Sequence, residues 1–404
     1  MRSIVTCLIA SCLFAPSVAE ARSAPARTAQ DETVGAFRLL IADAKSPAVR
    51  VLDLDSGTVL ATYTLGGPAR LHRGASGQYV YAVQGQSAQV AVIDTGIALD
   101  SHGDHADIKI SKPRLLPVRL SGPKPSHFNR GGVLVVVFFD GDGSAQAIKE
   151  PDLVRGNTRQ LRRIETGAGH HGVAKPVGSQ IAISVPPDGQ GLPNAIELRG
   201  RDNKPSQRAD CPRMHGAGAT SRFVGFGCAN GVVIFEAKRD GVAARHIAYP
   251  EAVPAGRMIR NMAGATGFSF LAGDFGADGM VVLDPAAKDG DFRYVELPGR
   301  RMHFDLHPDP GDKLYVVLED GTLLSINPLT GAIEARARVT DRYSMEQDVV
   351  RPRVTSAGSY AIVSNPAAGE IVILDAQTLA ERRRVKIEGV PFDVLAVGGR
   401  GATH

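Results

Sequence analysis

The chain has 404 residues, is 43% hydrophobic, and carries a formal net charge of +4 with no tryptophan. So small a positive balance, with few aromatic rings on which bases could stack, excludes a nucleic-acid binder. No segment beyond the N-terminus offers the ~18 uninterrupted apolar residues of a membrane-spanning helix.

The opening "MRSIVTCLIASCLFAPSVAEA" places Arg2 ahead of an apolar run from Ile4 to Pro16, with Ala19 and Ala21 spaced for cleavage after Ala21. This is the pattern of a secretory signal peptide over residues 1–21. A lipoprotein-type box, "IASC" ending at Cys12, fits less well because it leaves a very short apolar run before it. Residues 22–34, "RSAPARTAQDETV", have no periodicity and read as a flexible leader. Removing the signal leaves two cysteines, Cys211 and Cys228, in a chain bound for an oxidising compartment. A single disulfide is therefore expected.

From residue 35 to 400 one pattern recurs, and we read this span as a single domain. Short apolar strands such as "AVRVLDLDSG", "QVAVIDTG", "NAIELRG", "GVVIFEA", "GMVVLDPA", "GTLLSINPLTG" and "GEIVILDAQT" repeat, with a degenerate copy near "SAQAIKEPDL". Most are preceded by another short strand and an Asp-Gly or Asn-Gly turn, the strong hairpin signals. Helical periodicity is nearly absent. Short antiparallel strands at a period of about 40 to 50 residues imply an all-β fold, a β-propeller of four-stranded blades around a channel. Counting all copies gives eight blades, or seven if the degenerate copy is an insertion. The chain starts without an inner strand, and "GVPFDVLAVGG" near the end supplies one without outer strands, so the two termini should close one blade together.

Aligning the blades on Asp142-Gly143, Asp188-Gly189, Asn230-Gly231 and Asp320-Gly321 superposes "HFNRGG", "HGVAKP", "HGAGAT" and "HFDLHP". His127, His171, His215 and His303 then share one repeat position, spaced by 44, 44 and 88 residues, at the start of the inner strands. The first three belong to consecutive blades and should converge at one mouth of the channel. Neutral imidazoles arriving from separate strands are what a zinc ion takes, at ~2.0 to 2.1 Å in a tetrahedral shell. His170, beside His171, competes with it for the inward position. The insertion "DSHGDHADIKI", with His102, Asp104, His105 and Asp107, is expected to fold over this mouth and supply a further ligand. Asp140 and Asp274, in turns returning to the same mouth, could ligate or orient a ligand histidine. His303, two blades beyond His215, is expected to be structural or to support a ligand from behind. His72, His246 and His307 are expected at the surface or at strand ends, and His404 at a mobile terminus.

Together, "SGPKPSHF", "FFDGDGSA", "GAGHHGVAKP", "CPRMHG", "FGCANGV" and "GADGMVVLDP" resemble the periplasmic zinc metallochaperones of the AztD family. The resemblance covers most of the chain after the signal. It implies a periplasmic propeller that binds Zn(II) and hands it to the solute-binding protein of a zinc ABC importer, acting as a monomer and not as an enzyme. Its residue matches are His127, His170 with His171, His215, and the loop histidines His102 and His105. The sequence departs from that pattern in a leader without histidine and in Asp107 standing where a further histidine is expected. The alternative is a metal-dependent hydrolase or lactonase, since three histidines with an open position can activate water. It lacks a convincing general base. Imidazole also suits copper and nickel, so the residues alone do not select the metal.

Overall fold

The computed structural model describes residues 33–102, 105–308 and 313–403. The signal peptide, most of the leader, Asp104 and His404 lie outside the described residues.

Each repeat becomes an antiparallel meander because its two middle strands are apolar on both faces and its outer strand on one. "LVVVFF" (Leu134–Phe139) is buried almost throughout, whereas "IEARAR" (Ile333–Arg338) alternates half-buried with exposed residues. A strand covered on both sides reads as a continuous apolar run, and a strand at the rim alternates with period two. The covering comes from neighbouring sheets: Ile196, Leu198 and Val173 of one pack with Phe226, Val233 and Phe235 of the next. Burying one such side chain is worth about 1.5–3 kcal/mol. Most of the stability therefore lies between blades.

The described strands fall into eight sheets, seven of four strands and one of six. The fold is a β-propeller. Ser144–Lys149, the degenerate copy, is the third strand of the sheet that starts at Pro125–Gly131, and a short helix, Glu150–Val154, follows it. The termini meet as expected: Thr33–Asp43 pairs antiparallel with Pro391–Ala402, from Thr33 opposite Ala402 to Asp43 opposite Pro391. Pro391–Ala402 is the inner strand, with Ala48–Asp53 and Val59–Thr64 on the outer side of Thr33–Asp43.

The insertion at 97–110 departs from expectation. It is a hairpin, Ile97–His102 with His105–Ile110, whose Asp107 pairs parallel with Ala402 at the far end of the inner strand Pro391–Ala402. Inner strands all enter the channel from the same face, where that strand begins at Pro391 and where Asp393 accepts a hydrogen bond from the Leu71 amide at 2.7 Å. The hairpin therefore lies one strand length away, roughly 35 Å at about 3.3 Å per residue. It does not cover the mouth at which the inner strands start.

Candidate metal centre

His127 lies on inner strand Pro125–Gly131, where the pairing register slips between Pro125 and Phe128. An irregularity of this kind re-aims a side chain at a rim. His171 precedes inner strand Ala174–Val177, and His215 precedes Ala217–Ala219. Ring centroids are 4.8 Å apart for His127 and His171 and 5.5 Å apart for His171 and His215. The three imidazoles stand in a row across three consecutive blades.

Their hydrogen bonds fix which nitrogen is offered. His127 Nδ1 donates to the Gly172 carbonyl at 2.8 Å, His215 Nδ1 to the Arg260 carbonyl at 2.7 Å, and His171 Nδ1 to Asp140 Oδ2 at 2.7 Å. Each acceptor belongs to a neighbouring blade or to the turn before it. With Nδ1 carrying the proton, the lone pair of a neutral ring is on Nε2, the arrangement that outer partners impose on metal-binding histidines. Gly172 makes one of these bonds possible: a Cβ there would sit 2.3 Å from Ser184 Oγ and 2.5 Å from Phe138. The turn behind it is equally tight, because a Cβ on Gly143, at φ +67°, would sit 1.9 Å from the Ala168 carbonyl.

Asp140 orients His171. Besides His171 it accepts from the Ser126 hydroxyl and, at 3.4 Å, from the Gly172 amide. Burial raises its pKa, but the hydrogen bonds from His171 and Ser126 outweigh that, and it titrates below the usual carboxylate range. The same Asp140 bond raises the pKa of His171. Burial, then repulsion from His171, lowers His127 to about 4, so that ring stays neutral. One ligand atom each from His127, Asp140 and His171 lies within 4.8 Å of the others. Asp274, at the matching turn three blades on, works one step further out. It accepts from the Arg260 and Asn261 amides at 2.7 and 2.8 Å and so holds the carbonyl that orients His215.

His170 does not join the row. Its Nδ1 bonds the Ala168 carbonyl and its Nε2 the Ser184 hydroxyl, both at 2.9 Å, and its ring packs edge-on against Phe138. The two side chains leave the chain in different directions, His170 toward Ser184 inside the blade and His171 toward Asp140 at the mouth. His303 also stays apart. It is enclosed beside Arg353, accepts from the Val354 amide at 3.2 Å, and is held well below the usual histidine pKa by burial and then by Arg353, Arg301 and Arg70. A position ringed by guanidinium groups repels a cation. His246 is on an exposed outer strand beside Asn230. His72 and His307 are more enclosed than a surface assignment implies: His72 stacks on Phe128, and His307, 1% exposed at its strand end, bonds the Gly358 carbonyl.

A second group sits on the hairpin. His102 Nε2 is 3.0 Å from Asp107 Oδ2, His105 Nε2 is 3.6 Å from Asp107 Oδ1, and the two rings are 4.7 Å apart. The Asp107 hydrogen bond raises the pKa of His102. The sequence led us to expect that His102 and His105 complete the shell of His127, His171 and His215, but the hairpin is at the far end of the channel. The two loop histidines form a separate cluster with Asp107. Cys211 and Cys228 are disulfide-bonded, with Cα atoms 4.9 Å apart, in the blade that presents His215.

The row of imidazoles and the propeller around it have a counterpart among known proteins. The chain is 36% identical to the zinc chaperone AztD of Citrobacter koseri over 381 residues, covering 93% of this chain and 89% of that protein. It belongs to the AztD family. A crystal structure of Citrobacter koseri AztD superposes with a TM-score of 0.88 at 36% identity, covering 92% of this chain and all of that one. The apo form of that protein gives 0.85 at 34% identity, covering 91% of this chain and all of that one. Dihydro-heme d1 dehydrogenase NirN, at 14% identity and a TM-score of 0.57 over 88% of this chain and 74% of that one, shares the fold alone. No family model matches the chain. The name of the relative denotes a carrier, a role without turnover, and the hydrolase reading is set aside on that ground.

Proposed function

We propose that the chain is an exported zinc carrier that holds Zn(II) between His127, His171 and His215 and passes it to the solute-binding protein of a zinc importer. One observation carries the reading: all three imidazoles spend Nδ1 on an acceptor and keep Nε2 for a shared ligand. The family relation to a zinc chaperone supports zinc as the metal. The signal-like N-terminus and the disulfide support a periplasmic setting. No helix among the described residues is long and apolar enough to cross a membrane.

Release follows from the asymmetry of the row. His171 is the more exposed ring, with its side chain 44% accessible, while His127 is half-buried. An incoming ligand from the acceptor can take the place of His171 first, and the freed imidazole, beside Asp140, takes a proton from solvent. The hairpin cluster of His102, His105 and Asp107 is a second, exposed zinc site in this reading.

The test is a titration of residues 22–404 with zinc against a chromophoric chelator, repeated with copper and nickel. Stoichiometric binding of zinc that His127→Ala and His215→Ala each weaken by an order of magnitude or more supports the trio. Undiminished binding in both variants would overturn it. Loading followed by mixing with the apo solute-binding protein then measures transfer, with faster exchange than spontaneous zinc dissociation as the expected result.

A further inference from the structure

Beyond the histidines, the channel wall becomes cationic. Three residues after His127 on strand Pro125–Gly131 comes Arg130; Lys175 is on the next inner strand, Ala174–Val177, and Arg73 ends the preceding one, Arg70–Arg73. Three cations thus arise from three successive inner strands, the same pattern that assembles the imidazoles. Lys175 is only 8% exposed, and its ammonium donates at 2.7 Å to Asn129 Oδ1, a neutral group. Burial, then repulsion from Arg130, pushes it down to about 8, and the same two causes push Arg73 down to about 10. Arg73 donates to the Ala396 carbonyl, again a neutral partner. Arg130 reaches solvent from the wall and makes no ion pair among the described residues.

Two carboxylates are near, and both are already engaged. Glu150 accepts the Ala75 and Ser76 amides at 2.9 and 2.7 Å. Asp305 accepts the Ser356 hydroxyl at 3.0 Å, and burial raises its pKa to about 6. Glu150 still attracts Arg130 and Asp305 attracts Arg73, so three cations against two carboxylates leave one positive charge in excess. It borders open space: a cavity of about 680 Å³ is lined by Arg130, Lys175 and the small-residue segments "AGATS" (217–221) and "AGAT" (263–266). A second, of about 230 Å³, is lined by Arg73, Arg130, Ser76 and Thr266. Arg130 stands between the two.

We propose that this end of the channel is a binding site for a small multivalent oxyanion, phosphate-like or polycarboxylate-like, held by Arg73, Arg130 and Lys175. Enclosed cations with neutral partners gain most from an anion, because charge-assisted hydrogen bonds strengthen as water is excluded. A guanidinium fork also fits two oxygens of one ligand at once. The small residues leave the volume that such a ligand needs, and Ser76 and Thr266 offer neutral donors beside it.

Isothermal titration of the zinc-free protein, residues 22–404, in a low-chloride buffer with inorganic phosphate and with citrate tests this. Saturable one-site binding of either anion is expected, weakened by about tenfold or more in Arg130→Gln and recovered in part by Arg130→Lys. Tighter citrate than phosphate would assign a polycarboxylate, and the reverse a tetrahedral anion. Lys175→Met should weaken binding similarly, and since its site is buried, the accessible Arg130 decides if that variant fails to fold. Zinc affinity at the histidine row should be unchanged in Arg130→Gln. Absence of saturation by both anions at millimolar concentration, or equal affinity in the parent and Arg130→Gln, would overturn the proposal.

Discussion

At the scale of single residues, the candidate centre depends less on the three imidazoles than on what sits behind them. Asp140 fixes the tautomer of His171, and Asn in its place would present an amide that can also donate toward Nδ1. Asp140→Asn is therefore expected to lower zinc affinity by about 10–100-fold, the usual cost of losing an outer partner, with little change in melting temperature. An unaltered affinity would mean that His171 is not held through Asp140. The adjacent pair provides a sharper contrast. His171→Ala should remove most zinc binding and leave stability nearly intact. His170→Ala should spare zinc binding but cost about 1–3 kcal/mol, because Ser184 and the Ala168 carbonyl lose a buried partner. Chelator competition and chemical denaturation on both variants separate the two roles.

At the scale of elements, the disulfide and the hairpin have distinct consequences. Cys211 and Cys228 close a loop with a sequence separation of 17, and His215 lies inside it, its amide bonded to the Gly227 carbonyl at 3.0 Å. Cys211→Ser with Cys228→Ser should cost about 2–4 kcal/mol of stability. The same change should weaken zinc binding, because the segment that aims His215 becomes freer. Replacing His102 and His105 by Ala should do the opposite: it should remove one zinc equivalent from the stoichiometry and leave the affinity of the row unchanged. A fall in the affinity of the remaining site would instead place the hairpin over the histidine mouth, against the Asp107–Ala402 pairing.

For the whole molecule, the channel determines how the zinc-free protein responds to acid. His72 and His127 are each pushed down to about 4, chiefly by burial, and His303 lies well below its ordinary value. Unfolded, all three would bind protons near pH 6.5, so between roughly pH 6.5 and 4 the unfolded chain holds more protons than the native one. Stability therefore falls as pH drops through that window, with a slope of at most about 4 kcal/mol per pH unit for three groups. His171, raised by Asp140, acts with the opposite sign: its contribution is present below about 6.5 and is lost as pH rises through its native value. Urea denaturation of the zinc-free protein at pH 7, 6 and 5 reads the sum, and a midpoint that stays flat would contradict the burial of these rings.

The sequence by itself determined the all-β repeat, the closure of the first and last strands, the pairing of Cys211 with Cys228, and the gathering of His127, one of the pair His170 and His171, and His215. These follow from local signals, because apolar alternation, Asp-Gly and Asn-Gly turns and a constant spacing fix where each side chain stands within its blade, and the propeller converts equal position into convergence. Only the tertiary structure decided between His170 and His171, since adjacent residues share every local signal and differ only in the side of the backbone they leave. It also supplied the orienting acceptors, two of which are main-chain carbonyls, at Gly172 and Arg260, that carry no mark in a sequence. The position of the hairpin was equally illegible: which end of the channel an insertion joins depends on pairing between Asp107 and Ala402, almost three hundred residues apart. Contacts of that range are set by how the whole ring closes, not by the residues on either side of them.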